Sequence, residues 1–290
     1  MKPTVFYKYT TRSTAELILR NGRLRWSSPT VFNDLAEFQR MPRFEPTVSE
    51  SYPLLPQALI DAASKKRPID QSRLTPKNKE VLRIFQEAIF RGTSEAELLN
   101  LVGGVAQSHA DETIEQGLRD YFEALGPKAA RVLCLTSTFH NEVMWGTYAE
   151  SHYGCVLGFK AALVDSPFHD TKAINYSDTP AIVGSGLDFL LYGDSQELRQ
   201  RTIEAVLYTK KSEWSYEQEW RLITWRHLET EATHGDYIFY PEELESITFG
   251  ARTDTEFVES ICTVAKNQYP TTDLYRMTHH LGDMSRVQIA

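Results

Sequence analysis

The chain has 290 residues, of which 41% are hydrophobic and 24% charged, with a net formal charge of -8. That balance describes a globular chain with a sizeable core, long enough for one large domain or two small ones. It argues against a protein that coats nucleic acid through general electrostatics, although a local basic groove stays open. No run reaches the ~18 apolar residues of a membrane span, and the N-terminus lacks the hydrophobic region of a signal peptide, so a cytoplasmic protein with no membrane partner is expected. Cys134, Cys155 and Cys262 are odd in number, far apart and set among apolar neighbours, which reads as reduced core residues. Neither they nor the histidines are spaced as a metal-ligand set, and no metal is expected.

Residues 5–9 alternate as a strand and place Tyr7, Lys8 and Tyr9 at its end. Ser13 is read as the cap of a helix that stops at Asn21-Gly22, and 23–26 as a second strand. Residues 27–34 favour turns. The turn brings Asn33 and Asp34 beside Tyr7, Lys8 and Tyr9 as the wall of a common cleft; the plainer alternative is that the tyrosines pack and Lys8 snorkels. Residues 39–52 show no period. From 53 to about 125 the pattern is helical, broken at Gly103-Gly104, and is read as a helical insertion within a single α+β domain spanning 1–290.

Residues 131–137 read as a buried strand, and 141–150 as a short helix capped by Asn141 that carries Trp145 and Tyr148. His152 follows the helix just before Gly154 and the strand 155–159. A histidine there is more often a hydrogen-bonded anchor than a catalyst. Residues 171–176 suggest a strand, and 182–192 and 195–209 helices. Strands at 237–240 and 246–249, a helix capped by Asp254, and a strand at 273–277 complete the chain, with His279-His280 read as solvated tail. Irregular alternation with short connections favours an α+β fold, a mixed sheet with flanking helices, over a doubly wound parallel sheet.

Large aromatic and charged side chains concentrate between Tyr208 and Trp225, where Trp214, Tyr216, Trp220 and Trp225 accompany Lys210, Lys211, Glu217, Glu219 and Arg221. Residues from 219 onward are rich in strand formers. Period two puts Glu217, Glu219 and Arg221 on one face if the extension starts early, with the polar end at a cleft. The alternatives are a structural ion pair between Glu219 and Arg221, or a helix in which Glu217 and Arg221 are simply an i, i+4 pair.

Taken as a set, Tyr7-Lys8-Tyr9, Phe32-Asn33-Asp34, Met144-Trp145 with Tyr148, His152 and Gly154, and Lys210 with Trp214, Glu217, Glu219 and Arg221 resemble the bacterial domain-of-unknown-function family numbered twenty-nine seventy-one. Members commonly carry proline and phenylalanine after the Asn-Asp pair, where this chain has Leu35 and Ala36. The resemblance implies membership without an activity, so function rests on the residues.

Two functional classes fit. One is a transferase using NAD, because the opening strand, helix and Gly22 turn, with a later Glu-x-Glu entering a strand, are similar to the layout of ADP-ribosyltransferases. In it Glu219, Glu217 and His152 are the catalytic candidates, and Tyr7, Lys8, Tyr9, Asn33, Asp34, Trp145, Tyr148, Lys210, Trp214 and Arg221 the binding candidates. The other is a nucleic-acid-directed effector, a nuclease or sensor, in which Lys8, Lys210, Lys211 and Arg221 meet phosphates and the tryptophans stack on bases. A non-enzymatic interaction module is the third possibility. The partner is thus a small molecule or a nucleic acid. Tyr7, Lys8, Trp145, His152, Lys210, Glu217, Glu219 and Arg221 are expected to converge on one pocket. Glu219 is preferred to Glu217 as the catalytic carboxylate because it enters the strand and is held more rigidly, so Glu219→Gln is expected to abolish activity while leaving the fold close to wild type. A loss of about 3 kcal/mol or more would instead mark a buried pair with Arg221.

Overall fold

The computed structural model describes residues 2–102, 110–226 and 232–289, and Gly103-Gly104 lies outside the described residues. The chain divides into two compact units, one made of residues 1–37, 126–178 and 210–290, the other of residues 38–125 and 179–209.

The first unit carries a ten-stranded mixed sheet. Its strands are β1 (Val5–Thr10), β2 (Arg23–Ser27), β3 (Ala130–Thr136), β4 (Cys155–Lys160), β5 (Lys172–Ala173), β6 (Glu219–Trp225), β7 (His234–Ile238), β8 (Leu244–Phe249), β9 (Asp273–His280) and β10 (Asp283–Gln288). They lie in the order β7-β2-β3-β1-β4-β8-β9-β10, with β6 beside β3 and β5 beside β6. The β8–β9 pair is parallel and is joined through a helix, as a parallel connection requires. The unit's helices are α1 (Arg12–Asn21), α2 (Glu142–Tyr148) and α3 (Thr255–Gln268).

Alternation along β1 sorts its side chains into two clusters. Phe6 joins Ala15, Ile18 and Leu19 of α1, Leu157 of β4 and Ile261 and Val264 of α3 in the larger apolar core. Tyr7 and Tyr9 belong to a second cluster with Met144, Trp145 and Met277. The cap of α1 is Thr11, whose side chain accepts from the Thr14 N–H, rather than Ser13; Gly22, at φ 61°, ends the helix as expected and donates its N–H to the Ile18 carbonyl. Asn141 and Asp254 cap α2 and α3.

Other differences from the sequence expectations are local. Residues 171–176 hold two two-residue strands, and 182–192 begin with the short strand Ile182–Gly184 before the helix Gly186–Tyr192. The strand expected at 237–240 lies at His234–Ile238, pairing with β2. His279 and His280 are part of β9, which pairs along its length with β10, a strand whose polar, weakly alternating sequence gives little period to read.

The second unit holds the helices Leu55–Ala63, Pro76–Phe90, Glu95–Val102, Ala110–Ala124, Gly186–Tyr192 and Gln196–Leu207. Leu59, Ile60, Leu82, Phe85, Leu98 and Leu191 form its main core cluster. Among the described residues no helix is long and apolar enough to cross a membrane.

Candidate functional site

The site arises from a split in the sheet. On one side β6 accompanies β3 from Glu219↔Thr136 to Trp225↔Ala130. On the other, β3 is met by β2 at Ser27↔Val132 and by β1 at Tyr7↔Thr136, and positions 133–135 between these points have no paired strand on that side among the described residues. β1 runs with β4 along its whole length, so it diverges from β2, and a cavity of about 230 Å³ opens where they part. Because the gap passes through the sheet, side chains from both faces of β1 line it: Lys8 from one, Tyr7 and Tyr9 from the other.

The segment after β2 forms another wall. The Ser28 side chain accepts from the Thr30 N–H and caps the short 3-10 turn Pro29–Val31. Asp34 Oδ1 then accepts the Ala36 N–H at 2.8 Å, an Asx turn that fixes the loop without a proline at position 35. Phe32, Asn33, Asp34 and Glu37 thereby line the cavity. From α2 come Met144 and Tyr148, one helical turn apart.

The strand carrying Glu219 starts at that residue. Glu217 ends the 3-10 segment Ser212–Glu217, and Gln218 takes a left-handed conformation at φ 45°. Glu217 and Glu219 are therefore not on one extended face. The Gln218 bend nevertheless brings both carboxylates to one ammonium: Lys210 Nζ donates to Glu217 Oε2 at 2.6 Å and to Glu219 Oε2 at 3.3 Å, with Glu37 Oε2 at 3.9 Å.

Arg221, with no exposed surface, completes the network. Its Nε donates to Glu219 Oε1 at 2.6 Å, one terminal nitrogen to Glu219 Oε2 at 3.0 Å and the other to Glu37 Oε1 at 2.8 Å. Burial pushes the Glu219 carboxyl up, but the Arg221 charge and hydrogen bonds, with Lys210, outweigh it and hold the group down at about 2. Burial likewise draws Lys210 down, and the Glu219 and Glu217 carboxylates more than reverse it. For Glu37, burial prevails over Arg221 and raises the carboxyl above its ordinary range.

Hydrogen-bonding capacity is unevenly distributed. A carboxylate offers about four lone-pair positions. Glu219 accepts two bonds from Arg221 and one from Lys210. Glu217 accepts from Lys210 and, at 2.6 Å, from the Tyr148 hydroxyl, which leaves it room for further donors. Burial, then the bond to Glu217, raises Tyr148. Glu37 Oε2 and Trp214 Nε1 are buried without a hydrogen-bond partner among the described residues, while Lys210 sits 4.6 Å from the centre of the Trp214 ring. Lys8 faces the cavity, partly accessible through it, with no hydrogen bond or ion pair among the described residues. Burial lowers its pKa against the weaker pull of Cys134 and Glu219.

Of the residues singled out by sequence, Tyr7, Lys8, Tyr9, Asn33, Asp34, Tyr148, Lys210, Trp214, Glu217, Glu219 and Arg221 line this cavity. Trp145 and His152 are not among the lining residues. Trp145 is fully buried beneath Tyr9, its indole N–H donating to the Phe139 carbonyl at 2.8 Å. His152 stacks on Trp145 at 6.1 Å and meets His279 edge-on. Burial, then His279 and Arg252, lowers its pKa. Tyr9 also has a structural task, since its hydroxyl accepts the Asn141 N–H at the start of α2.

Glu37 and Cys134 are members that sequence reasoning missed. Glu37 stands alone in a loop without period. Cys134 was read as core, and the available signal was its position two residues before Thr136 on a strand whose alternate residues are aliphatic. Among the described residues no group of three His, Cys, Asp or Glu side chains is arranged to hold a metal.

Residues 144–222 match the family described as Protein of unknown function (DUF2971), so this segment of the chain is similar to that family. The matched segment contains Met144, Tyr148, Lys210, Trp214, Glu217, Glu219 and Arg221 of the cavity and ends short of β1 and the 28–37 loop. No curated protein and no solved structure matches the chain.

Proposed function

We propose that the cavity is a small-molecule site and that the protein is a transferase acting with NAD, moving ADP-ribose to an acceptor. The observation that carries this is the spare acceptor capacity of Glu217, a buried carboxylate on a cavity walled by Tyr7, Phe32, Tyr148 and Trp214. Ribose hydroxyls are donors that suit Glu217, and the planar, positively charged nicotinamide ring suits aromatic faces beside carboxylates. Asp34, Glu37, Glu217 and Glu219 oppose Lys8, Lys210 and Arg221 in the lining, a balance that favours a cationic ring over a polyanion and counts against the nucleic-acid alternative.

In the reaction the bond between ribose and nicotinamide breaks, and nicotinamide leaves neutral with the bonding pair. The sugar becomes oxocarbenium-like, and a carboxylate already fixed beside it stabilises that charge without reorganising. The acceptor's lone pair closes the new bond and its proton is released. We assign the stabilising role to Glu217 over Glu219, which already accepts three charged hydrogen bonds from Arg221 and Lys210. Lys210 and Tyr148 hold Glu217 in place. Family resemblance and cysteines without disulfides support reading the protein as bacterial and cytoplasmic.

The test is calorimetric titration with NAD and with a short RNA, beside assay of nicotinamide release. NAD is expected to bind, and Glu217→Gln to retain binding while slowing release by about a hundredfold, the scale of losing one preorganised electrostatic group. RNA binding without NAD binding would replace the transferase with a nucleic-acid effector. Binding of neither would leave an interaction module.

A further inference from the structure

The cavity contains two lysines in opposite states. Lys210 is held by carboxylates at 2.6 and 3.3 Å and lies against the Trp214 ring. Its ammonium is fixed as a charge and its nitrogen has no lone pair to offer. Lys8 lines the same space with no hydrogen bond or ion pair among the described residues. The nearest sources of compensation are weak. Cys134 is a neutral thiol, kept protonated by burial and by Glu219, and the Glu219 carboxylate is committed to Arg221 and Lys210. A lysine that is partly buried at a cavity wall, with no counter-ion in contact, is shifted towards its neutral amine.

We propose that Lys8 is a nucleophilic amine that forms an imine with a small planar aldehyde or ketone bound in the cavity. This rests on the cavity and on Lys8, not on the use of NAD. The Nζ lone pair attacks the carbonyl carbon as the C=O π pair moves to oxygen. The carbinolamine then expels that oxygen as water, carrying the two protons that nitrogen gives up, and the C=N bond forms. The exchange is redox-neutral and needs no third reactant. The surroundings suit it in two ways: partial burial without a counter-ion in contact activates the amine, and the rings of Tyr7, Phe32 and Tyr148 offer faces for a conjugated carbonyl. The class of substrate is thus a neutral or cationic carbonyl compound with a flat, unsaturated body, since the surrounding carboxylates disfavour an anion.

The experiment traps the imine. Full-length protein is incubated at neutral pH with pyridine-3-carbaldehyde and, separately, with formaldehyde, each with cyanoborohydride, and the alkylated lysines are timed by peptide mass spectrometry. Lys8 is expected to react several-fold faster than the exposed Lys77 and Lys160, because a larger share of it is neutral amine, and Lys210 to stay unmodified. Fast labelling of Lys8 by formaldehyde alone still supports the reactive amine and narrows the carbonyl to a smaller one. If neither aldehyde labels Lys8 faster than the exposed lysines, the proposal is overturned. The NAD titration is a separate measurement, so trapping at Lys8 without NAD binding would sink the transferase and leave this inference standing.

Discussion

The cavity floor and the turn that carries His152 are assembled from similar parts, titratable side chains beside aromatic rings at the ends of regular elements, yet they treat charge in opposite ways. On the floor, Lys210 and Arg221 are tied to Glu37, Glu217 and Glu219, with nearly every charge answered inside the protein. At the turn, His152 faces His279 and Arg252, its Nδ1 is buried without a hydrogen-bond partner among the described residues, and burial favours its neutral form. Ionisable groups gathered near aromatic rings therefore do not define a site. What distinguishes the floor is open volume next to groups with capacity left over, namely Glu217, Glu37 Oε2, Trp214 Nε1 and Lys8.

The largest test of that contrast is Arg221. Arg221→Met should cost about 3–5 kcal/mol in denaturant unfolding, because Glu219 and Glu37 lose their main counter-charge in the interior. Glu219→Gln should also destabilise the fold, by less, because Glu37 still accepts from the guanidinium. The pH dependence follows. The folded Glu219 carboxyl is depressed to about 2, so its stabilisation is complete above its ordinary range and lost as pH falls towards 2. Glu219→Gln should flatten the acid limb of the stability curve, and an unchanged acid limb would mean that the pair does not stabilise the fold.

Tyr148→Phe removes one donor to Glu217 while leaving Lys210 in place. Its expected cost is smaller, about 1.5 kcal/mol, the lower end for a hydrogen bond to a charged group, because the cavity lets water replace the phenol. Unfolding curves measure it, and a cost matching that of Arg221→Met would place Tyr148 in the saturated floor and not at the open side.

This gradation shows how far sequence could go. Period and caps made β1, β3, β4 and α2 legible, since each is a short segment with a clear apolar rhythm or an Asn or Gly signal. The candidates gathered largely as expected, because strand ends at Tyr9 and Glu219 and the turn at Asn33-Asp34 are where polar chemistry survives next to a core. The split between β1 and β2 was not legible: it depends on which strands flank β3, and pairing leaves no local pattern. The same holds for Glu37, whose importance comes from Arg221, 184 positions away. His152 was misplaced with respect to the cavity for a related reason. Its helix-end position is correct, but the backbone turn that follows sends the ring onto Trp145.

At that turn the pH effect has its own window. His152 is lowered from its ordinary value, so the unfolded chain binds the proton more readily than the folded one. Stability from His152 is full above the ordinary value and falls as pH drops through the depressed one. His152→Asn, which stays neutral and tolerates a left-handed backbone, should remove that loss. The difference between wild-type and variant melting temperatures should shrink or vanish at neutral pH and favour the variant near pH 5. A constant difference across this range would mean that His152 titrates as it does in the unfolded chain.

The smallest effect lies one residue earlier and reverses the sign. Glu150, Ser151 and His152 all have positive φ, at 52°, 52° and 72°, conformations that cost an L-residue roughly 1–2 kcal/mol each. The turn persists because its neighbours hold it. Glu150 accepts the Arg12 backbone N–H and guanidinium at 3.1 and 2.8 Å, and the His152 carbonyl accepts the Arg252 N–H at 3.1 Å. Gly250 leaves room for this approach, since a Cβ there would lie 2.0 Å from the His152 carbonyl oxygen. Ser151 is exposed, and its side chain makes no hydrogen bond among the described residues. Ser151→Gly therefore relieves strain without removing an anchor. The gain is reduced by the greater freedom of glycine in the unfolded chain, about 0.5–1 kcal/mol, which leaves an expected stabilisation of about 0.5 kcal/mol. Ser151→Ala keeps the Cβ and should show no gain. If glycine and alanine shift the unfolding midpoint equally, the left-handed turn carries no strain at Ser151. If only glycine raises it, the turn departs from the ionic floor in a second respect, being held against its backbone preference by Arg12 and Arg252.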